Sequence, residues 1–466
     1  GSGACPAENV GHLLTLIPDY FEPKSDFRTF HKEFPLPNHL FRRWKDGVRL
    51  WPSKIFSKSR VKTKDDPITT EVVKRLLAAN IIETTVAGPY VSSLFYILNR
   101  EGSKLRPIFN YEHMTPLLKT PHFHLPSLFQ VVQKHHWRPN MFYVKLDFSQ
   151  AFFNLPVHPS SQYITTFKAN GTYYKFKRLP FGISIAPYVC QMMLNRLVEY
   201  IRQTCPQTWG HIDDVIICHT SSETLSSFLL TLLGKLSNAK WVVNWRKSVV
   251  RPTKELTFLG ANWTSTGVER LPSLQENLRQ AIRAISRNLK EKESQRIRGY
   301  LIYYLSFAGP VHSIISRALL EPEVGKTYLF QLLEVNKIKF KDPPTGNPLQ
   351  VFSDATPTRL GWIHSLGEGT APLRCELPIM FTETLAAIIA IYSAVSTGAS
   401  NILLHTDNMA TRAFLRRGAS KFLYKFSYQL HFSFIFLFCK LRYLANMQAV
   451  YINTSVNPAD RLTRLC

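Results

Sequence analysis

Seven carboxylates stand where they could do chemistry. Asp147 closes a short apolar run, Phe142 to Leu146, and Asp213-Asp214 follow 66 residues later in GHIDDVIICHT. Aspartates at the ends of adjacent strands can hold two divalent cations roughly 3.5–4 Å apart, one activating an attacking hydroxyl and the other stabilising a leaving pyrophosphate. That chemistry is nucleotidyl transfer. Adjacent aspartates at a hairpin are also ordinary turn residues, so the surrounding sequence has to separate the two readings. The second set is Asp354 in VFSDATP, Glu383 in FTETLAA, Asp407 in LHTDN and Asp460 in NPADRLT. One carboxylate follows each of two strands, one lies on a helix and one in a late loop, and four such groups can clamp a second pair of metals.

Elements must hold these groups. Phe142 to Leu146 reads as a strand delivering Asp147, and Trp209 to Thr220 as two short strands with Ile212-Asp213-Asp214 at the bend. Leu94 to Leu98 and Leu105 to Phe109 read as a strand pair joined by Arg100-Glu101-Gly102-Ser103. Thr70 to Glu83 has a helical pattern. Ser273 to Leu289 reads as a helix opened by a capping box of Ser273 and Glu276, with Leu274, Leu278, Ile282, Ile285 and Leu289 inward. On its neighbouring stripe Arg279, Arg283, Arg287 and Lys290 form a cationic face suited to a nucleic-acid backbone, or to solvent alone. Lys58, Arg60, Lys62 and Lys64 alternate, so an extended chain would project them to one side, as a basic ridge or as a solvated charge run. KFKDPPTGNP, Lys339 to Pro348, marks a domain boundary. Beyond it Leu349 to Ser353, Ile402 to Thr406 and Ala449 to Ile452 read as strands and Phe381 to Val395 as a buried helix, a mixed α/β domain.

The whole chain has 466 residues, 45% hydrophobic and 19% charged, enough for about three domains and too apolar for general disorder. Lys and Arg total 57 against 32 Asp and Glu, a net +25, so a polyanion is the expected partner. No apolar run is expected to reach the ~18 residues of a membrane span, the longest stretch near the C-terminus, Phe432 to Cys439, being about half that; no membrane partner is expected. Seven cysteines without a CxxC pair argue against a zinc ribbon or a disulfide framework and fit a reducing compartment. Gly1-Ser2-Gly3 reads as an added linker rather than a targeting signal, so a native start upstream is expected.

The blocks VKLDFSQAFFNLPVHP, KRLPFGISIAPYVCQ, HIDDVIICH and FLGANW occur in an order and spacing that resemble the palm of a reverse transcriptase. The resemblance implies that Asp147 and Asp213 bind the two metals, with Asp214 beside them. Phe152 falls where that family places an aromatic gate, which clashes with a ribose 2′-OH and so favours deoxynucleotides, an ordinary core aromatic being the alternative. Leu179-Pro180-Phe181-Gly182 would position template and incoming nucleotide, Gly182 allowing close backbone approach, with a helix following from Pro187 to Tyr200. Arg106 matches the finger arginine that grips the triphosphate, assisted by Lys104 or Arg100. Lys247 stands where a lysine donates a proton to the departing pyrophosphate, a plain surface lysine being the alternative. Asp354, Glu383, Asp407 and Asp460 resemble the acids of the ribonuclease H fold, where two metals activate water against an RNA phosphodiester.

With VFSDATPTRLGW, SFAGPVHSIISRALLEP and VNPADRLTR, residues 80 to 466 resemble the hepadnavirus P proteins and their non-enveloped fish-virus relatives. The expected fold is α+β and multidomain: an N-terminal extension (1–50), right-hand polymerase fingers and palm (51–265), thumb or connection (266–346) and a ribonuclease H-like α/β domain (347–466). The implied activities are RNA- and DNA-directed DNA synthesis and degradation of the RNA of a hybrid, with Mg²⁺ as cofactor, two ions per site, and Mn²⁺ as a substitute. Implied partners are an RNA template, a DNA primer, an RNA–DNA hybrid, dNTPs, an RNA packaging element, capsid protein and host chaperones, inside a nucleocapsid in the host cytoplasm. The chain departs from the pattern at His211, where a tyrosine is usual, so a group titrating near neutrality is expected beside the acids. The stretch between Pro159 and Arg178 is short and retroelement-like, which keeps a retrotransposon polymerase as an alternative. A basic protein that only binds nucleic acid is the other, and loss of carboxylates would mark it. Hepadnaviruses prime on a tyrosine of an upstream domain; Tyr20 in IPDYFEP reads instead as a packing anchor.

Overall fold

The computed structural model describes residues 7–51, 65–99, 102–111, 120–135, 137–148 and 150–464. The alternating basic run at 58–64 and Arg100 lie outside the described residues. The chain forms two compact units, one of residues up to Leu125 with Phe142–Thr253, the other of Pro126–Met141 with Lys254–Cys466.

The first unit is built on an antiparallel sheet in the order Thr208–His211, Asp214–His219, Phe142–Asp147, Val249–Thr253. One face of its central strands is apolar and buried, with Val144 and Leu146 opposite Ile217 and Val215; the other carries Lys145, Asp147 and Asp214 beside the buried Ile216. The helix Ala186–Arg202 lies against the Thr208–His211 strand, and the approach is so close that a Cβ on Gly210 would stand 2.7 Å from Val198 Cγ2. The finger strands Ser93–Leu98 and Leu105–Asn110 pair as the sequence predicts, with Arg106 opposite Ile97. The helix expected over 70–83 runs instead over Pro67–Ala78. Asn80 follows its C-cap with φ +56, a left-handed helix stop, and Ile82–Thr85 then pairs with Thr172–Phe176 as a strand.

Residues 7–50 contribute to this core. Phe27, Phe30, Phe34 and Trp44 are buried, Phe30 packing 5.1 Å from Trp241 and Phe34 5.7 Å from Tyr200.

The second unit contains an antiparallel sheet in the order Leu256–Phe258, Ala261–Trp263, Gly267–Arg270, Lys337–Lys339. Arg270, almost fully buried, donates to the carbonyls of Tyr304, Leu333 and Val335 and to Gln275 Oε1, so one guanidinium caps the ends of the helices Glu291–Tyr304 and Pro322–Leu332. The helix expected over 273–289 covers only Pro272–Arg283. Its N-cap is Leu271 and no side chain caps it: Pro272 occupies the first turn, so the expected capping box does not form. Arg287 and Lys290 lie beyond the helix end, while Ile285 stays buried from a non-helical turn. Arg279 and Arg283 face Glu276 at 3.6 and 3.9 Å and Arg287 meets Glu323 at 2.7 Å, which breaks up the expected continuous cationic stripe.

A five-stranded sheet completes this unit in the order Gly367–Pro372, Arg359–His364, Leu349–Ala355, Asn401–Thr406, Asn446–Tyr451, the first three antiparallel and the last three parallel. The helix Ile379–Ser396 packs on its middle strands through Ala386, Ala387, Ala390 and Ala394, small residues that allow close approach. That helix is long and apolar enough to cross a membrane, by length and composition. It carries Glu383 and over half of it is buried within this fold, the character of a core helix.

Candidate active sites

The palm carboxylates are set by strand register. Asp147 and Asp214 are directly paired across antiparallel strands, and Asp213 occupies the two-residue turn between His211 and Asp214. Ile212, the first turn residue, has φ +54, which a β-branched residue adopts only under constraint. The constraint is visible. Gln191, buried on the Ala186–Arg202 helix, accepts from Ile212 N at 2.7 Å and donates to Gly210 O at 3.2 Å and Asn195 Oδ1 at 2.9 Å. Across the site Phe148 N donates to Asp213 O at 2.6 Å. The turn that carries the acid is therefore gripped from a helix on one side and from the strand of Asp147 on the other.

Burial pushes the Asp213 carboxyl up to about 6, with the Asp147 charge adding to it. Burial pushes Asp214 up to about 8, helped by Asp213 and Asp147. Asp214 Oδ1 is buried without a hydrogen-bond partner. Three mutually repelling carboxylates with an orphaned oxygen suit a multivalent cation. Cations stand around them. Arg106 and Lys247 act electrostatically on Asp213, and burial together with Lys247, Arg106 and Arg246 lowers the ammonium pKa of Lys104. Arg106, Lys104 and Lys247 are exposed. The loop bearing Lys247 is tied to the acid strand: Asn244 N donates to Asp147 O at 2.8 Å, and Ser248 Oγ accepts from Asp147 N at 2.9 Å. His211, expected to titrate near neutrality, is instead held below its ordinary pKa by burial.

Phe152 lies in the 3-10 turn Ala151–Asn154, buried, its ring edge-on to Phe181 at 5.2 Å. Gly182 has φ +101, and a Cβ there would meet Phe109 O at 2.7 Å. No other residue fits without moving the finger strand.

The second group assembles on the five-stranded sheet. Asp354 lies in Leu349–Ala355, Glu383 on Ile379–Ser396 and Asp407 directly after Asn401–Thr406. Ligand atoms of these three lie within 4.8 Å of one another, the one such group among the described residues. Burial raises the Asp354 and Glu383 carboxyls well above the usual range, with Asp407 the next cause for each, and Glu383 Oε2 is a buried oxygen without a partner. The donors are all hard oxygens, as a divalent cation such as Mg²⁺ requires. Asp460 lies outside that trio but stands close enough to Asp354 to push its carboxyl up further, and Arg464 pairs with Asp460 at 3.0 Å. Asn457 places it, donating to Ser353 O and accepting from Ala459 N. Gly361 lets the loop in: a Cβ there would be 2.8 Å from Leu462 Cβ.

Sequence reading missed Gln191 and Asn457. Both lie inside quoted blocks, and a buried polar residue beside an acid-bearing turn was the available signal.

Residues 94–263 match the family described as reverse transcriptase (RNA-dependent DNA polymerase). The chain is 18% identical to the foamy viral protease-reverse transcriptase whose structure was solved in complex with dsDNA, with a TM-score of 0.53, covering 94% of this chain and 99% of that one. The fold is that of the foamy viral protease-reverse transcriptase, α+β as expected, and the family match falls within this chain's first compact unit and the start of its second. In sequence the chain is 26% identical over 242 residues to Protein P of duck hepatitis B virus, covering 48% of this chain and 28% of that protein. It is also 22% identical over 394 residues to the Pro-Pol polyprotein of simian foamy virus type 1, covering 78% of this chain and 32% of the polyprotein. The sequence is thus similar to a hepadnavirus P protein and to a foamy virus polyprotein, and it spans less than a third of the length of either.

Proposed function

We propose that the chain is a viral RNA- and DNA-directed DNA polymerase that also cleaves the RNA strand of an RNA–DNA hybrid. The observation that carries the reading is the in-register pairing of Asp147 with Asp214, with Asp213 clamped in the turn between strands. Two Mg²⁺, or Mn²⁺ in their place, held by Asp147, Asp213 and Asp214, would supply charge neutralisation for an attacking 3′-hydroxyl and a leaving pyrophosphate. Arg106, with Lys104, neutralises the incoming triphosphate, and Lys247 holds a proton for the pyrophosphate. Phe152 excludes a 2′-OH, and Gly182 lets the nucleotide and template meet the backbone.

Asp354, Glu383, Asp407 and Asp460 form the hydrolytic site, where a second metal pair would activate water. The domain reading is then fingers and palm over 51–265 behind the 1–50 segment, thumb or connection over 266–346 and ribonuclease H over 347–466. An RNA template, DNA primer and hybrid are the expected nucleic-acid partners. A packaging RNA, capsid protein, host chaperones and residence in a cytoplasmic nucleocapsid follow from the hepadnavirus likeness. All seven acids are present, which favours an enzyme over a protein that only binds nucleic acid.

Mg²⁺-dependent dNTP incorporation on a primed RNA template tests this. Extension by the wild type and none by Asp213→Asn is expected; binding of the hybrid without extension by either protein contradicts it.

A further inference from the structure

The segment Asp19–Ser25 runs behind the turn that carries Phe152. Gln150, at φ +64, donates its side-chain amide to Asp19 O at 3.1 Å. Tyr20 meets Phe153 edge-on at 6.0 Å between ring centres. Arg178 donates to Pro23 O at 2.9 Å and Ser25 O at 2.6 Å, and the same guanidinium reaches Asn154 O at 3.3 Å. Ser25 Oγ in turn donates to Ala239 O at 2.8 Å, which anchors the far end of the segment. Gln150 and Phe153 thus touch this one stretch of chain directly, and Asn154 is tied to it through Arg178. Phe152 itself makes its ring contact with Phe181.

A gate works by a clash, and a clash discriminates only if the ring cannot retreat. Phe152 stands on a single 3-10 turn that leaves a left-handed residue, a short element whose own hydrogen bonds fix it weakly. Support from behind must come from the packed neighbours.

We propose that Asp19–Ser25 is a backstop that fixes Phe152, so that Tyr20 and Gln150 are positioning residues for discrimination between deoxy- and ribonucleotides. The inference rests on reading Phe152 as the sugar gate. Tyr20 is partly buried and acts through its ring, not its hydroxyl. Removing the ring or the Gln150 amide gives the turn room to move back, and a ribose then fits.

The test compares incorporation of one dNTP and the matching rNTP by the full chain and by Tyr20→Ala, Tyr20→Phe, Gln150→Ala and Phe152→Ala. Tyr20→Ala and Gln150→Ala are each expected to lower the ratio of kcat/KM for dNTP over rNTP by roughly tenfold, mainly through a lower KM for the ribonucleotide. Tyr20→Phe keeps the ring and is expected to keep the ratio. A ratio unchanged in Tyr20→Ala and Gln150→Ala, with Phe152→Ala collapsing it, overturns the backstop and leaves the gate standing. A ratio unchanged in Phe152→Ala removes the gate, and the backstop with it. Gln150 is on the surface of the turn, so its variant reports even where Tyr20→Ala fails to fold.

Discussion

Gln191→Met is the perturbation most informative about how the palm acid is held. The substitution keeps volume and apolar packing but removes three hydrogen bonds, to Ile212 N, Gly210 O and Asn195 Oδ1. The Ile212 N–H then lacks its partner, at a cost of about 1–3 kcal/mol if the hairpin stays as it is. Ile212 also holds a left-handed backbone conformation worth roughly 1–2 kcal/mol of strain. The chain can recover both by letting the turn flip, and that carries Asp213 away from Asp147 and Asp214. A displacement of about 1 Å at a reacting centre lowers turnover by roughly 10²-fold. Primer extension under saturating dNTP is therefore expected to fall by that order, while RNA cleavage by the same protein, whose acids sit in the other unit, stays at the wild-type rate. Extension within about threefold of wild type would refute the clamp. Equal loss of both activities would mean general unfolding and would refute it too.

Three further outcomes are expected. His431 is buried, accepts from Ser420 N at 3.3 Å and is held at about 4 by burial against an ordinary 6.5, so the unfolded chain binds a proton the folded chain does not between those values. The His431 contribution should rise with pH from about 4 to 6.5, by up to about 3 kcal/mol, and is read as the growing difference in stability between the wild type and His431→Gln in urea titrations across that range. Arg270→Met removes the guanidinium that caps two helices and should destabilise the second unit by about 3 kcal/mol or more, read as an earlier denaturant transition of that unit. The carboxyls of Asp214, Asp354 and Glu383 are raised by burial and by each other, so the folded protein holds protons the unfolded chain has lost and its metal-free stability should fall as pH rises toward 8. A Mg²⁺ concentration a hundredfold above the Kd at pH 8 should restore about 2.7 kcal/mol there, and the same concentration should give a smaller thermal shift at pH 5.5, because ligation must displace those protons at the lower pH.

The elements that carry the acids were legible in the sequence because Asp147, Asp214, Asp354, Glu383 and Asp407 border or lie within apolar runs whose length and punctuation mark a strand or a buried helix. Asp147 after Phe142 to Leu146, the Asp213-Asp214 bend and the Asp354, Glu383 and Asp407 elements all lie where those runs place them. The supports were not legible, because they act across the chain. Gln191 reaches a turn 21 residues on, and Arg270 reaches carbonyls 34 to 65 residues on; neither has a local pattern. Helix ends failed for local reasons that outweigh periodicity. Asn80 took the left-handed stop inside a pattern that continued apolar, and Pro272 displaced the capping serine by starting the helix one residue earlier. Ile285 kept the apolar spacing from a turn, so a buried residue at the right interval was mistaken for another helical turn.

The central claim is that one chain carries two separate metal-dependent sites, and a single hybrid substrate tests it. With a labelled RNA template annealed to a DNA primer, extension and RNA cleavage are followed together in Mg²⁺ for the wild type, Asp213→Asn and Asp354→Asn. Asp213→Asn is expected to abolish extension and keep cleavage, and Asp354→Asn to abolish cleavage and keep extension. Loss of both activities in either variant, with the protein still folded and bound to the hybrid, would contradict it.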